Sequence, residues 1–194
     1  MRSAAVRRKT KETDIFLTLD IDGKSGAEIA TGIGFLDHML ELFVKHGLFT
    51  LNLKCKGDLN VDDHHTTEDV AIALGQAFEK ALGDKSGISR YGHAYVPMDE
   101  SLARCVVDLS GRSALVYRAE FNRKKVGDLS TEMIRHFFQS FADNVKANIH
   151  IEVLYGTNTH HKIEAMFKAF GRALRLACEK DLRVKGIPST KGKL

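Results

Sequence analysis

One histidine-rich phrase occurs twice in this chain, and its repetition constrains both the fold and the chemistry. His38 stands 26 residues before His64-His65-Thr66-Thr67-Glu68, and His136 stands 24 residues before His160-His161-Lys162-Ile163-Glu164. Six of the nine histidines therefore belong to two copies of one pattern. Histidine and glutamate together are typical metal ligands, so we expect a metal site here. The alternative, a pair of histidine-rich helix caps on the surface, does not explain why the phrase is repeated.

The spacing within the phrase also predicts how many ions are bound. Each HHxxE segment opens a stretch with helical apolar periodicity, in which residues three or four apart share a face and adjacent residues diverge by about 100°. His64 or His65 can therefore share an ion with Glu68, but the two neighbouring imidazoles cannot easily converge on one ion. We expect two ions, each with about three histidines and one glutamate, a ligand mixture that suits Mn²⁺, Fe²⁺ or Zn²⁺. The expected metal ligands are His38, His64, His65, Glu68, His136, His160, His161 and Glu164.

The repeat extends beyond the histidines. An apolar helical stripe recurs at an offset of 96, with Val70, Leu74, Ala77, Phe78 and Ala81 matching Met166, Phe170, Ala173, Leu174 and Ala177. Strand-like alternation recurs at an offset of 98, in residues 51–55 and 149–153. A strand, a glycine turn and a second strand recur at an offset of 88, around residues 20–25 and 108–113. Gly75 and Gly171 match as well, and because glycine weakens a helix, its recurrence indicates close contact with a neighbouring helix or sheet.

These matches predict one domain made of two similar halves. With 194 residues, of which 43% are hydrophobic and 28% charged, the chain can bury a sizeable core. We expect an α+β fold in which a tandemly duplicated half-domain of strands and two helices forms a sandwich of helices and two related sheets. The expected single catalytic domain spans residues 1–194, with halves of about 1–88 and 89–185 and a short basic C-terminal tail, 186–194.

Charge, hydropathy and cysteine content narrow the functional class. The net charge is +4 with acidic residues interspersed, which fits a small anionic substrate at least as well as a polynucleotide. No apolar run approaches the roughly 20 residues of a membrane span. We therefore expect neither nucleic acid nor membrane as a partner. Cys55, Cys105 and Cys178 are expected to be buried free thiols in a reducing compartment, which favours the cytoplasm.

Several charged residues adjoin the expected ligands. Lys168 stands one turn beyond Glu164, so it is expected to share the face of the metal and to meet an anionic part of the substrate. The alternative for Lys168 is a solvated helix flank. Four aspartates next to the ligand segments are expected to orient imidazoles from behind: Asp37, Asp63, Asp69 and Asp99.

Three long segments carry a resemblance to a known family. Residues 34–40, 62–70 and 98–104 (GFLDHML, DDHHTTEDV and MDESLAR) resemble the imidazoleglycerol-phosphate dehydratases. Gly171 and residues 188–192 (PSTKG) are similar too, and no ligand position departs from the pattern. The resemblance implies dehydration of imidazoleglycerol phosphate to imidazole acetol phosphate in histidine biosynthesis. It also implies two Mn²⁺ per active site, with Zn²⁺ or Fe²⁺ less favoured, and a 24-subunit shell with the metals at subunit contacts.

The resemblance further implies roles for individual residues. Glu12 is favoured as the proton-transfer group, while Glu68 and Glu164 complete the implied catalytic carboxylates. The implied substrate and phosphate ligands are Glu12, Arg90, Arg112, Lys168, Ser189 and Lys191. Glu100 lies opposite Glu12 in the repeat and is interpreted as a structural relic. A further hypothesis is that the tail is mobile until substrate arrives.

Two other classes stay open on the residues alone. A different di-metal enzyme, such as a hydrolase that uses a metal-activated water, would need the same ligands. A non-catalytic metal store would need the ligands but not the basic residues. The sequence also leaves open whether the ligands of one ion come from one chain or from several.

Overall fold

A computed structural model describes residues 2–194 as two four-stranded sheets, four helices and one small hairpin. The first half comprises β1 (Ser3–Lys9), β2 (Thr13–Asp20), β3 (Gly26–Ala30), α1 (Gly34–Gly47), β4 (Thr50–Gly57) and α2 (His64–Leu82). The second half comprises β5 (Tyr91–Met98), β6 (Ser101–Asp108), β7 (Ala114–Arg118), β8 (Lys125–Val126), β9 (Leu129–Ser130), α3 (Glu132–Val145), β10 (Asn148–Tyr155) and α4 (Thr159–Cys178).

The two large sheets have the same topology. The strand orders are β1-β2-β4-β3 and β5-β6-β10-β7. In each sheet the first three strands pair antiparallel, and the last strand pairs parallel with its neighbour. The expected α+β fold with two related sheets is therefore confirmed. The β8–β9 hairpin belongs to the second half alone among the described residues, and it lies between β7 and α3.

The four helices lie between the sheets. Helix α2 packs on β1 and β2, and α4 packs on β5 and β6, while α2 also contacts α3 and α1 contacts α4. Phe43 of α1 stacks on Phe170 of α4 with ring centroids 4.9 Å apart. The two halves thus share one hydrophobic core, in which each fully buried leucine or phenylalanine contributes about 1.5–3 kcal/mol.

The two matched glycines sit where helices from different halves touch. A Cβ atom on Gly171 would lie 2.5 Å from the carbonyl oxygen of Phe43, and one on Gly75 would lie 2.8 Å from that of Phe141. The predicted close contact is therefore between helices. Helices α1 and α4 run side by side in the same direction. His38 contacts Glu164 near the start of both helices, and Phe43 contacts Gly171 further along both.

Among residues 2–194, none of the helices combines the length and the apolar character needed to cross a bilayer. The three cysteines are free, with Cys105 and Cys178 buried and Cys55 half-buried.

Candidate metal centre

A first group of potential ligands joins α1 to α4. Nε2 of His38 lies 3.2 Å from Oε1 of Glu164, and Nε2 of His160 lies 2.8 Å from the same oxygen. The i, i+4 spacing on α4 places His160 and Glu164 on one face. Glu164 is buried, whereas both imidazoles have exposed surface. The parallel packing of α1 on α4 therefore brings a histidine of the first half to a His-x-x-x-Glu pair of the second.

A second group joins α2 to α3. Nε2 of His136 lies 3.4 Å from Oε1 of Glu68, and Nε2 of His64 lies 3.8 Å from Oε2 of the same carboxylate. The rings of His64 and His136 approach to 4.7 Å between centroids. The two groups are thus related by the repeat, and each takes one histidine from the half that does not supply its HHxxE motif.

Both groups fit a divalent transition-metal ion. In each, one donor atom from each of the three residues lies within 4.8 Å of the other two. The Nε2 atom of His136 is buried, and its 3.4 Å approach to Glu68 is not a hydrogen bond, so among the described residues it has no hydrogen-bond partner. A buried polar atom without a partner is costly, and an ion at this position would satisfy it. Two imidazoles and one carboxylate leave coordination positions open for further ligands.

His65 and His161 lie outside both groups. The ring planes of His64 and His65 differ by 70° with centroids 6.1 Å apart, and those of His160 and His161 differ by 84° at 6.1 Å. Within one chain each group therefore contains two histidines. Six histidines shared between two ions would give three. In each HHxxE motif the first histidine lies in a His-Glu group, and the imidazole of the second lies outside it.

A carboxylate holds each of these outlying imidazoles by its Nδ1 atom. Oδ2 of Asp58 lies 3.0 Å from Nδ1 of His65, and Oε2 of Glu100 lies 2.7 Å from Nδ1 of His161. These hydrogen bonds raise the pKa of both histidines and, together with backbone amides, lower the pKa of Glu100 well below its usual range. In both imidazoles Nε2 is the atom left free to bind an ion.

Asp58 and Glu100 are the imidazole partners that the sequence analysis missed. Asp58 follows β4, but its match in the second half is Gly156, so the repeat gave no signal for it. Glu100 was interpreted as a relic, yet its carboxylate accepts hydrogen bonds from the backbone amides of Thr157 and Asn158 and from the Ser101 hydroxyl, at 3.0, 2.7 and 2.9 Å. Its position in the two-residue turn between β5 and β6 brings it to the start of α4.

Four aspartates were expected to orient imidazoles by hydrogen bonds, and three of them have other partners. Asp37 accepts from the amide and the hydroxyl of Thr31, and Asp63 accepts from Ser130. Asp69 pairs with Arg8 at 2.7 Å. That expectation was wrong for these three because each satisfies a loop or strand that borders its helix. Oδ2 of Asp99 does lie near an imidazole, 3.8 Å from Nε2 of His161.

Glu12 lies in the turn between β1 and β2. Its Oε1 atom is 3.8 Å from Nε2 of His65, and half of its side chain is exposed. It therefore approaches the free nitrogen of His65, in the way that Asp99 approaches that of His161. Although Glu12 matches Glu100 in the repeat, the two carboxylates meet different nitrogens of their imidazoles.

Lys168 is a direct neighbour of the first group. Its Nζ atom lies 2.6 Å from Oε2 of Glu164 and 3.1 Å from Sδ of Met98, and its side chain is largely buried. It is therefore not a solvated helix flank. Burial alone would raise the pKa of Glu164, but hydrogen bonds from Lys168, His160 and His38 outweigh it and lower the pKa to about 2.

The other expected phosphate ligands lie far from Lys168 within one chain. Arg90 precedes β5, where its guanidinium binds Asp108 at 2.7 Å and the carbonyl oxygen of Pro188 in the tail at 2.9 Å. Its backbone amide donates to Ala177, nine residues or about 14 Å along α4 from Lys168. The tail continues past Ser189 and Lys191 to Leu194, whose backbone lies against Gly111, next to the exposed Arg112. Lys168 thus lies alone at one end of β5, and the other expected phosphate ligands lie toward the opposite end.

Comparison with known proteins identifies the family. The family model described as imidazoleglycerol-phosphate dehydratase matches residues 31–174. The imidazoleglycerol-phosphate dehydratase of Leuconostoc mesenteroides is 58% identical over 193 residues, covering 100% of this chain and 99% of the relative. That of Chlorobium chlorochromatii is 59% identical over 191 residues, covering 98% and 96%.

Solved structures agree with the sequence relatives. The crystal structure of imidazoleglycerol-phosphate dehydratase from Staphylococcus aureus superposes with a TM-score of 0.84 at 42% identity, over 92% of this chain and 99% of that one. The Pyrococcus furiosus structure, in complex with (S)-C348, gives a TM-score of 0.83 at 35% identity, over 97% and 100%. Because the family model covers most of the chain and relatives above 50% identity match over its full length, this chain belongs to the imidazoleglycerol-phosphate dehydratase family of hydro-lyases.

Proposed function

We propose that this chain performs the metal-dependent dehydration of imidazoleglycerol phosphate to imidazole acetol phosphate and water in histidine biosynthesis. The observation that carries the proposal is the pair of His-Glu groups, each assembled from both halves of a chain whose family is named for this reaction. The family membership supports the substrate, and the donor set supports the metal dependence.

Each group would hold one ion, most suitably Mn²⁺, with Zn²⁺ or Fe²⁺ as weaker alternatives. His38, His160 and Glu164 would bind one, and His64, Glu68 and His136 the other. When bound, the ions would supply Lewis acidity toward the imidazole ring of the substrate and a template that fixes its orientation. Glu68 and Glu164 would take part in catalysis as ligands of these ions.

His65 and His161 support a role for other copies of the chain. Each points away from the group of its neighbouring histidine, and each keeps Nε2 free while a carboxylate holds Nδ1. They would complete the two groups of adjacent subunits, giving three histidines and one glutamate per ion in a 24-subunit shell. Metal binding and assembly would then be linked equilibria. Chelation is expected to shift the mass in solution to smaller species, and a chelated sample of unchanged mass would count against this arrangement.

Glu12 would act as the proton-transfer group. Dehydration breaks a C–O bond to expel hydroxide and removes a proton from the adjacent carbon, and both events require a group that handles a proton at the reacting atoms. The Glu12 carboxylate is half-exposed and lies beside the free nitrogen of His65, so it would face the ion to which that nitrogen binds. A carboxylate in this position can accept a proton from carbon and pass it on without an organic cofactor.

The substrate phosphate would be bound by Arg90, Arg112, Lys168, Ser189 and Lys191. Arginine offers paired planar donors and lysine a compact charge. Because Lys168 lies at the opposite end of β5 from Arg90 and the tail, one complete phosphate site would draw these residues from more than one chain.

The cytoplasm would be its location. The chain has three cysteines, an odd number, and all stand in apolar-periodic segments, which favours buried thiols in a reducing compartment.

The test is an assay of imidazoleglycerol phosphate dehydration by the purified protein, stripped with chelator and then given Mn²⁺, Zn²⁺ or Mg²⁺. Formation of the ketone is expected to be abolished by the chelator and restored by Mn²⁺. His93→Ala, an exposed substitution on β5, serves as the control for nonspecific effects of histidine loss. A fully metal-loaded, assembled protein with no turnover would contradict the proposal and would favour a di-metal hydrolase.

A further inference from the structure

The two imidazoles that lie outside the metal groups share an unexpected feature. Each is held at Nδ1 by a carboxylate, Asp58 for His65 and Glu100 for His161. The duplication does not explain this, because the position that matches Asp58 is Gly156 and the position that matches Glu100 is Glu12. A relic of duplication would retain matched residues, whereas here two unrelated loops deliver a carboxylate to the same ring atom. Such convergence indicates a shared requirement at Nδ1.

The carboxylate of Glu100 is itself fixed in one orientation. Its Oε1 atom accepts from the amides of Thr157 and Asn158 at 3.0 and 2.7 Å, which leaves Oε2 for His161 at 2.7 Å. Asn158 caps α4 by accepting from the amide of His160 at 2.9 Å, so the same turn sets the direction of both histidines. Because Oε2 can only accept, Nδ1 of His161 carries a proton, and in the neutral ring Nε2 therefore presents its lone pair.

We propose that Glu100 is a positioning residue that fixes His161 as the Nδ1–H tautomer, with Nε2 preset to complete an ion held by the His-Glu group of another copy of this chain. The inference rests on the proposed function, since it assumes that His161 is a metal ligand. Outer carboxylates of this kind typically change metal affinity 10–100-fold when they are lost.

The structure offers a substitution that reverses the tautomer with little change in shape. In Glu100→Gln the amide oxygen must face the backbone donors of Thr157 and Asn158, since the reverse orientation would set donor against donor. The amide nitrogen then donates to Nδ1 of His161 and forces the proton onto Nε2, where it blocks ligation. This substitution should therefore weaken one of the two Mn²⁺ sites by about 10–100-fold.

Glu152→Gln is the matched control, because it makes the same carboxylate-to-amide change in the same half of the chain. The carboxylate of Glu152 pairs with Arg104 on the outer face of the second sheet. Because this substitution leaves the Nδ1–H tautomer of His161 in place, we expect it to change Mn²⁺ affinity by less than about threefold, far below the effect at Glu100.

The experiment combines two readouts on the full chain. Nitrogen-15 NMR of the metal-free protein with labelled histidine, at a pH where the ring of His161 is neutral, reports the tautomer, with the His161 signal assigned by its loss in His161→Ala. Competition with a chelator reports the Mn²⁺ affinities. The expected results are Nδ1–H in the wild type, Nε2–H in Glu100→Gln, and a selective loss of affinity at one site in that variant.

The outcomes separate this inference from the proposed function. If His161→Ala leaves both Mn²⁺ affinities unchanged, the ligand assignment in the proposed function fails. If His161→Ala weakens one site but Glu100→Gln does not, the positioning role alone is overturned. Should Glu100→Gln fail to fold, the wild-type signal still decides, because an Nε2–H tautomer in the metal-free wild type would overturn the inference.

Discussion

Nε2 of His38 lies 3.2 Å from Oε1 of Glu164, although the two residues stand 126 positions apart and belong to different halves of the chain. His136 and Glu68 repeat this relationship at 3.4 Å. Each half of the duplication therefore lacks a complete group of its own. The repeat and the candidate metal groups are linked, because neither half can assemble a His-Glu group without the helix that the other supplies.

His38→Ala tests this cross-half contact. It removes one of three donors in the first group and leaves the second group intact. We expect Mn²⁺ affinity at one site to fall by at least about 100-fold and kcat to fall similarly, since a direct ligand should matter at least as much as a second-sphere partner. Chelator competition and steady-state kinetics measure both. Equal loss at both sites, or no loss at either, would contradict two separate groups.

The glycines between helices should be sensitive to added volume. Gly171→Ala and Gly75→Ala place a Cβ atom within 2.5 and 2.8 Å of a carbonyl oxygen on the facing helix, so the helices must separate. We expect each to lower the free energy of unfolding by about 1–3 kcal/mol, measured by urea denaturation at fixed metal concentration. Gly34→Ala, where a Cβ atom meets nothing within 4 Å, should be nearly neutral. Equal stability of Gly171→Ala and Gly34→Ala would exclude the packing argument.

Removal of the tail from Pro188 onward should impair the phosphate site but not the metal groups. The carbonyl oxygen of Pro188 binds Arg90, and the deleted segment carries Ser189 and Lys191. Loss of hydrogen bonds to a charged phosphate is expected to raise KM by about tenfold and to lower kcat. Elemental analysis should find the same metal content as in the wild type. Lys193→Ala is the control, and a truncated enzyme with wild-type kinetics would dispose of this role for the tail.

Cys55 should react slowly with alkylating agents. Burial, with a smaller effect from Asp69, raises the pKa of the Cys55 thiol to about 11. At pH 8 the reactive thiolate fraction is then about 0.001, compared with roughly a quarter for a free cysteine. Iodoacetamide labelling followed by mass spectrometry should therefore be at least about 100-fold slower than labelling of the urea-unfolded chain, and its rate should rise with pH up to about 11. Rapid labelling at neutral pH would refute this environment.

The sequence predicted most of the fold because each pattern occurs in two copies, and the second copy supports the interpretation of the first. Residues 51–55 and 149–153 alternate in the same way, and both are strands. The two HHxxE motifs open helices of 19 and 20 residues. The β8–β9 hairpin was not predicted, since its strands have two residues each and have no counterpart in the first half.

The site was less predictable than the fold. The repeat shows that His38 and His136 are equivalent, but it does not show whether each joins the motif of its own half or of the other. Only the packing of α1 on α4 and of α2 on α3 distinguishes these arrangements. Asp58 and Glu100 escaped prediction for a related reason, because they act on equivalent imidazoles from positions that are not equivalent in sequence.

Subunit mixing tests the central claim most directly. One variant carries His65→Ala and His161→Ala, which keeps both His-Glu groups but removes the outlying imidazoles. The other carries His38→Ala and His136→Ala, which damages both groups but keeps those imidazoles. Each should be inactive alone. Both would be chelated, mixed, and reassembled with Mn²⁺, with wild-type protein treated in parallel as the control.

If groups and imidazoles come from different chains, the mixture should regain measurable dehydratase activity, because some sites will pair an intact group with intact imidazoles. A mixture as inactive as its components, beside a wild-type control that recovers, would contradict the account.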